Sequence, residues 1–264
     1  MKIAVISQEQ TSGKSSLMCL LGGIFSRSQS KNVAILSTGS AQENMNIVDM
    51  RDTSKELRSI HVFRALLASD AISGTELFDY GFRQGEENVF IYDIMGTVMD
   101  EDDKKALFME ALTKLPADLT LVEVKGDIKE PFNYKVINAC DAVLYVFNHS
   151  KTSIENVRKY IDDPKLTSIA VRTGYVCAKY DRNVIGEKKL GTLMKMNARN
   201  ILLFPYNSVV AKKALDGDLS SIVYNVMKGD NEVLVLRSKF LEIMQYLFDT
   251  DRFKYVRGID EWFK

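Results

Sequence analysis

The first twenty residues constrain this chain more than any other stretch. Ile3, Ala4, Val5 and Ile6 form a short apolar run of the kind a strand buried on both faces shows. Ser7 to Ser16 is a polar turn that closes on Gly13-Lys14-Ser15-Ser16, and Leu17, Met18, Leu20, Leu21 and Ile24 then recur at helical spacing. A strand, a loop ending Gly-Lys-Ser and a helix make the setting of a phosphate-binding loop. Glycine at 13 lets the backbone bend close to an anion. The N–H groups of the first helical turn point at that anion, aided by the positive end of the helix dipole. On this reading Gly13, Lys14, Ser15 and Ser16 meet phosphate, with Lys14 on the outer phosphates and the Ser15 hydroxyl on Mg²⁺. The match is incomplete, because the full pattern has glycine where this chain has Gln8. The alternative is a plain strand-to-helix corner in which Lys14 is a solvated surface lysine.

The charges balance at 35 basic against 35 acidic residues, so no global field draws the chain to nucleic acid or lipid. Contact with either would need a local patch. Three cysteines, Cys19, Cys140 and Cys177, lie scattered in apolar stretches, which suits reduced core thiols and not a disulfide frame. His61 and His149 are far apart, which argues against a His/Cys metal site. No apolar run approaches the ~20 residues of a membrane span, and the start is too short for a signal sequence. The expectation is a soluble, cytoplasmic protein.

Strand-like and helical patterns alternate along most of the 264 residues. Strands are expected at Val33–Leu36, Val89–Tyr92, Leu119–Val124, Ala142–Phe147, Ser168–Cys177 and Ile201–Phe204. Helices are expected at Ser54–Ala68, Asp102–Leu115, Phe132–Cys140, Ile154–Ile161 and Glu187–Met196. Ser40–Asp52 and Ile72–Gly85 read as loops. The alternation predicts an α/β fold of three layers, a mostly parallel sheet with helices on both faces. Four prolines and no low-complexity stretch argue against a long linker. Ligands of such sheets sit beyond the carboxyl ends of the strands, which directs attention to Ser37–Gln42, Asp93–Gly96, Glu123–Asp127, Cys177–Asp181 and Pro205–Asn207.

The order of these motifs resembles the ParA/MinD family of P-loop ATPases, a SIMIBI-class group with a deviant Walker A loop. The phosphate loop is Ser7–Ser16, and Ala117–Asp127 resembles the Walker B strand. Cys140–Val146 resembles the following Ala-Asp strand. Val176–Asp181 resembles the adenine loop, and Leu203–Asn207 the late Ile-Pro-Tyr strand. The resemblance covers residues 1–230 and implies ATP or ADP bound with Mg²⁺. It implies that Lys14 and Glu123 act in catalysis, that Pro205 and Tyr206 border the nucleotide, and that Ser15, Glu123 and Asp127 serve the metal. Two acids compete for the Walker B role. Asp93 ends a strand and opens Asp-Ile-Met-Gly, whereas Glu123 lies one helix's length before Asp141, a spacing that favours it.

The same resemblance implies a spatial organiser that forms a homodimer and positions DNA or a membrane-associated machine through a protein partner. Several departures bear on that. Glu9 stands where the family's bridging lysine sits, and a carboxylate there repels phosphate. Gln10 and Thr11 replace two glycines. Ser37, Thr38 and Ser40 hold the region where an acid positions the attacking water, and Ala178 replaces the asparagine that reads adenine. Removing one such group from a phosphoryl-transfer site costs ~100-fold or more, so hydrolysis is expected to be weak or absent. The alternative is a non-enzymatic pseudo-ATPase scaffold that binds a protein partner. A phosphotransferase finds less support, with no acceptor-binding arginine cluster or lid sequence.

Residues 231–264 form a separate segment. Phe240, Leu241, Met244, Leu247 and Phe248 repeat at helical spacing, with Arg237, Lys239, Glu242, Gln245 and Asp249 opposite. The plain expectation is a last helix packed on the same domain. The other is a detachable aromatic-basic tail, Arg252–Arg257 and Trp262–Lys264, that docks on a partner or, peripherally, on a membrane.

Overall fold

The central strands of this chain are nearly continuous apolar runs because both of their faces are buried. The computed structural model describes residues 1–9, 12–41, 60–69, 74–167 and 172–248. They form an eight-stranded sheet in the order β3-β4-β2-β5-β1-β6-β7-β8. The strands are β1 (Lys2–Ile6), β2 (Val33–Ser37), β3 (Phe82–Arg83), β4 (Val89–Tyr92), β5 (Leu119–Glu123), β6 (Ala142–Phe147), β7 (Arg172–Tyr180) and β8 (Ile201–Pro205). All neighbours pair parallel except β3, which runs antiparallel along β4 at one edge. β1 lies at the centre, between β5 and β6.

Successive side chains of β1 divide between two cores, as the period of two requires. Ile3 and Val5 join α1 (Lys14–Gln29), α9 (Leu219–Lys228) and α10 (Leu234–Phe248) on one face. Ala4 and Ile6 join α2 (Ile60–Ala68), α3 (Glu101–Lys114), α4 (Pro131–Asn138), α5 (Lys151–Ile161) and α7 (Glu187–Met194) on the other. The remaining helices are short, α6 (Pro164–Thr167) and α8 (Ser208–Leu215). Where α1 meets α9, Gly23 allows the approach: a Cβ there would lie 2.6 Å from Val223 Cγ2. Leu236, Phe240, Ile243, Met244 and Leu247 of α10 are buried in the first core, with Phe240 set edge-on to Phe204 at 5.1 Å. The three cysteines are buried free thiols, and burial pushes Cys140 and Cys177 up to about 12, which leaves them protonated and unreactive.

The three-layer expectation holds, and most strand boundaries agree within a residue. Three stretches differ. Ile72–Gly85, read as a loop, contains a 3₁₀ helix at Gly74–Tyr80 and the β3 strand. There Leu77 and Phe78 turn inward, and Phe78 stacks on Phe90 at 4.6 Å. The supposed adenine loop, Val176–Asp181, is mostly strand. β7 runs on to Tyr180, which pairs with Pro205 after an irregularity that puts Lys179 at φ 54°. Two helices, α8 and α9, follow the last strand where no helix was expected. The expected helix Ser54–Ala68 is described only from Ile60. Residues 54–59, the loop at 42–52, the start of the strand expected from Ser168 and the tail at 249–264 lie outside the described residues.

Candidate functional site

The end of β1 and the start of α1 form the corner on which the site is built. Ser7 and Glu9 close a tight turn, in which the Glu9 N–H donates to Ser7 Oγ at 3.1 Å and that hydroxyl donates to Glu9 O at 3.2 Å. Gly13 then enters α1 in the left-handed region at φ 87°, ψ 13°, a conformation that favours glycine. No side chain caps the start of α1, and its first turn holds no acid. Its terminal amides and dipole therefore keep their positive character. Ser12 beside it is fully buried, with a hydroxyl that has no hydrogen-bond partner among the described residues. Orphan donors at an uncapped helix start fit an anion.

Glu123, at the tip of β5, faces this corner from the neighbouring strand and is 1% exposed. Ser15 Oγ donates to Glu123 Oε1 at 2.5 Å, and Lys14 Nζ donates to Val124 O at 3.0 Å. Lys125 Nζ lies 3.8 Å from Glu123 Oε2 and donates to Ser40 O at 2.7 Å. The Lys125 N–H donates to Thr38 Oγ1 at 2.9 Å, tying the loop after β5 to the loop after β2. Gly126 turns at φ 81°, and Asn133 Nδ2 donates to both Lys125 O and Asp127 O at 2.8 Å, which fixes that turn. A cavity of about 470 Å³ opens here, between Glu9, Lys14, Glu123, Lys125 and Asp127.

Of the groups expected to serve a metal, Ser15 and Glu123 are brought together. Asp127 borders the cavity, but its Oδ1 accepts from the Lys129 N–H at 2.9 Å. With a lysine ammonium beside Glu123, this set as it stands does not fit magnesium, which demands a near-octahedral shell of oxygens. No cluster of three His, Cys, Asp or Glu placed to hold a metal occurs among the described residues.

Asp93, the competing acid, ends β4, which is separated from β1 by β2 and β5. Its carboxylate closes two loops instead, accepting from Ala41 N at 2.8 Å and Gly96 N at 3.0 Å. Pro205 and Tyr206 line a separate apolar slot of about 80 Å³ with Gly13, Ser16, Ala178 and Lys179. A Cβ at Gly13 would lie 3.5 Å from Lys179 Cε, so that lysine's stem runs past the corner.

The sequence reading gave no role to three residues here: Lys125 and Lys179, which lie inside strand ends it singled out, and Asn148. Asn148 Nδ2 donates to Glu9 Oε2 at 2.9 Å. Asn148 also donates its N–H to Ser153 Oγ at 3.1 Å and accepts from Ser150 N at 2.8 Å, which locks it at the start of α5. The signal for Lys125 was present, two positions beyond Glu123 on the same strand end. Nothing in the linear order brings Asn148 to Glu9.

No protein-family model and no curated protein matches the chain. Solved structures do. A ParA family ATPase from Chlorobium tepidum superposes with a TM-score of 0.65 at 10% identity, over 92% of this chain and 97% of that one. The septum site-determining protein MinD from Pyrococcus horikoshii, complexed with Mg-ADP, gives 0.63 at 14% identity, over 92% and 95%. The MinC:MinD cell division complex from Aquifex aeolicus gives 0.64 at 12%, over 92% and 95%. The fold is that of the ParA/MinD P-loop ATPases.

Proposed function

We propose that this chain is a ParA/MinD-like spatial organiser that grips the phosphate tail of ATP or ADP at the corner before α1 and acts through a protein partner. The observation that carries the reading is the uncapped start of α1 at the left-handed Gly13, opening with Lys14 and the Ser15–Glu123 pair on a cavity of about 470 Å³. Anions bind at such helix starts because amides and dipole converge there. The structural likeness to a MinD complexed with Mg-ADP supports a nucleotide, and the likeness to a MinC:MinD complex supports a protein partner.

Hydrolysis should be weak or absent. Glu9 sits at the loop, held by Asn148, where a cation would be needed. The segment Ser37-Thr38-Gly39-Ser40 offers hydroxyls and no carboxylate to orient an attacking water. Ala178 cannot hydrogen-bond a base edge, and Asn207, which also lines the slot beside Tyr206, is already engaged, donating to Glu232 O at 3.1 Å and capping α8. Lys14 is 7% exposed and bonded to Val124 O, an arrangement that favours the second reading, a pseudo-ATPase scaffold. No helix among the described residues is long and apolar enough to cross a membrane.

Fluorescent ATP and ADP titrations separate the readings. Saturable binding that disappears in Lys14→Ala and persists in Asp93→Asn is the expected result. Binding indifferent to Lys14→Ala, or none at all in the unaltered chain, favours the scaffold.

A further inference from the structure

The loop after β5 brings a cation of the chain's own to the acid at the strand tip. Glu123 is almost wholly buried, and both its oxygens face hydrogen-bearing groups, the Ser15 hydroxyl at 2.5 Å and the Lys125 ammonium at 3.8 Å. A magnesium ion joined to a carboxylate through one of its waters stands about 4 Å from it, given metal–oxygen distances near 2.0–2.1 Å. Lys125 Nζ keeps that separation. Its position is built and not incidental. The ammonium donates to Ser40 O at 2.7 Å, the main chain of Lys125 is held by Thr38 and Asn133, and a Cβ at Gly39 would lie 3.0 Å from Lys125 Cδ. The stem is therefore seated against a glycine that leaves room for it, and the side chain is only 24% exposed. Lys125 also lines the same cavity as Lys14, on the side of the β2 loop.

We propose that Lys125 serves as the fixed counter-charge of this site, so that it takes the polyphosphate tail of a nucleotide without a divalent cation. This rests on the reading that the corner before α1 binds phosphate. Two lysines then neutralise the tail: Lys14, freed from Val124 O, and Lys125, set against Glu123. An ammonium neutralises phosphate charge without an octahedral shell, at the cost of offering only a point charge. The Glu123 carboxylate orients Lys125 and Ser15 and does not ligate a metal.

The test measures ADP and pyrophosphate binding by calorimetry on the full chain, in excess EDTA and in millimolar magnesium, with Lys125→Ala and Lys125→Gln alongside. The unaltered chain should bind at least as tightly in EDTA as in magnesium, where the ion competes with the two lysines for the phosphate tail. Both variants should lose about tenfold or more in EDTA, and Lys125→Ala should regain part of that in magnesium because its shortened side chain admits the ion. Lys125→Gln keeps the stem over Gly39, so a loss shared by both variants, with melting temperatures near that of the unaltered chain, belongs to the charge. Binding by the unaltered chain that weakens about tenfold or more in EDTA overturns this inference and leaves the nucleotide reading standing. Variants that bind like the unaltered chain in EDTA also overturn it. No binding under either condition overturns both.

Discussion

Replacing Gly13 with alanine tests whether the left-handed corner is what makes the site. Gly13 sits at φ 87°, and an added Cβ would meet Lys179 Cε at 3.5 Å and Ala178 Cβ at 3.7 Å, ordinary contact distances. The penalty is therefore backbone strain and not a clash, about 1–2 kcal/mol for an L-residue held left-handed. Alanine also restricts the unfolded chain, which offsets about 0.4–1 kcal/mol of that. A net loss of about 1 kcal/mol should lower the melting temperature of a chain this size by about 2–4 °C. Gly13→Asn should lose less, since asparagine tolerates the left-handed region. Gly229, at φ 76° on the C-terminal cap of α9 and away from the site, is the control. Gly229→Ala should melt as much earlier as Gly13→Ala yet bind ADP normally, whereas Gly13→Ala should bind about tenfold more weakly because relief of the strain at Gly13 turns the first amides of α1 away from the anion. Thermal melts and ADP titrations on the same preparations read both effects. If Gly13→Ala melts and binds like the unaltered chain, the corner is neither strained nor in contact with phosphate, and the reasoning fails.

Two further outcomes follow from packing and burial. Gly23→Ala gains about 1 kcal/mol of helix propensity but places a methyl 2.6 Å from Val223 Cγ2, and overpacking of about 1–3 kcal/mol should win. Adding Val223→Ala should remove the clash, so a double-mutant cycle by urea unfolding should show coupling of about 1 kcal/mol or more; additive single effects would refute the contact. Burial raises the carboxyl pKa of Glu87 above its ordinary 4.5, with its own main-chain N–H and Arg27, 3.1 Å away, offsetting only part. The folded state then holds the Glu87 proton more tightly than the unfolded chain, so this group's contribution declines as pH rises from 4.5 through the raised value. The stability difference between Glu87→Gln and the unaltered chain should change in the variant's favour over that window, and a flat difference would refute it.

The sheet was legible because burial on both faces leaves little choice of residue. Val89–Tyr92 and Ala142–Phe147 are apolar from end to end, and the strands match those runs residue for residue. The helices after β8 were not legible. Asp216, Gly217 and Asp218 break the pattern between two short helices, one capped by Asn207 and the other by Asp218. At the site, Lys14, Ser15 and Glu123 could be read from local pattern and spacing, and they do meet. Lys125 stood in the stretch after β5 that the sequence singled out, but its role was not legible, because it depends on Ser40 and Gly39 from a different strand end. Spacing to Asp141 already favoured Glu123 over Asp93. The pairing of β5 with β1 sets Glu123 beside α1 and leaves Asp93 three strands from β1.

Asn148 fastens the carboxylate of the β1–α1 loop to the beginning of α5. A side chain anchored inside its own subunit does not lean across to a neighbouring copy. With that carboxylate held within its own chain, occupancy measured at dilute and concentrated protein should fall on one curve.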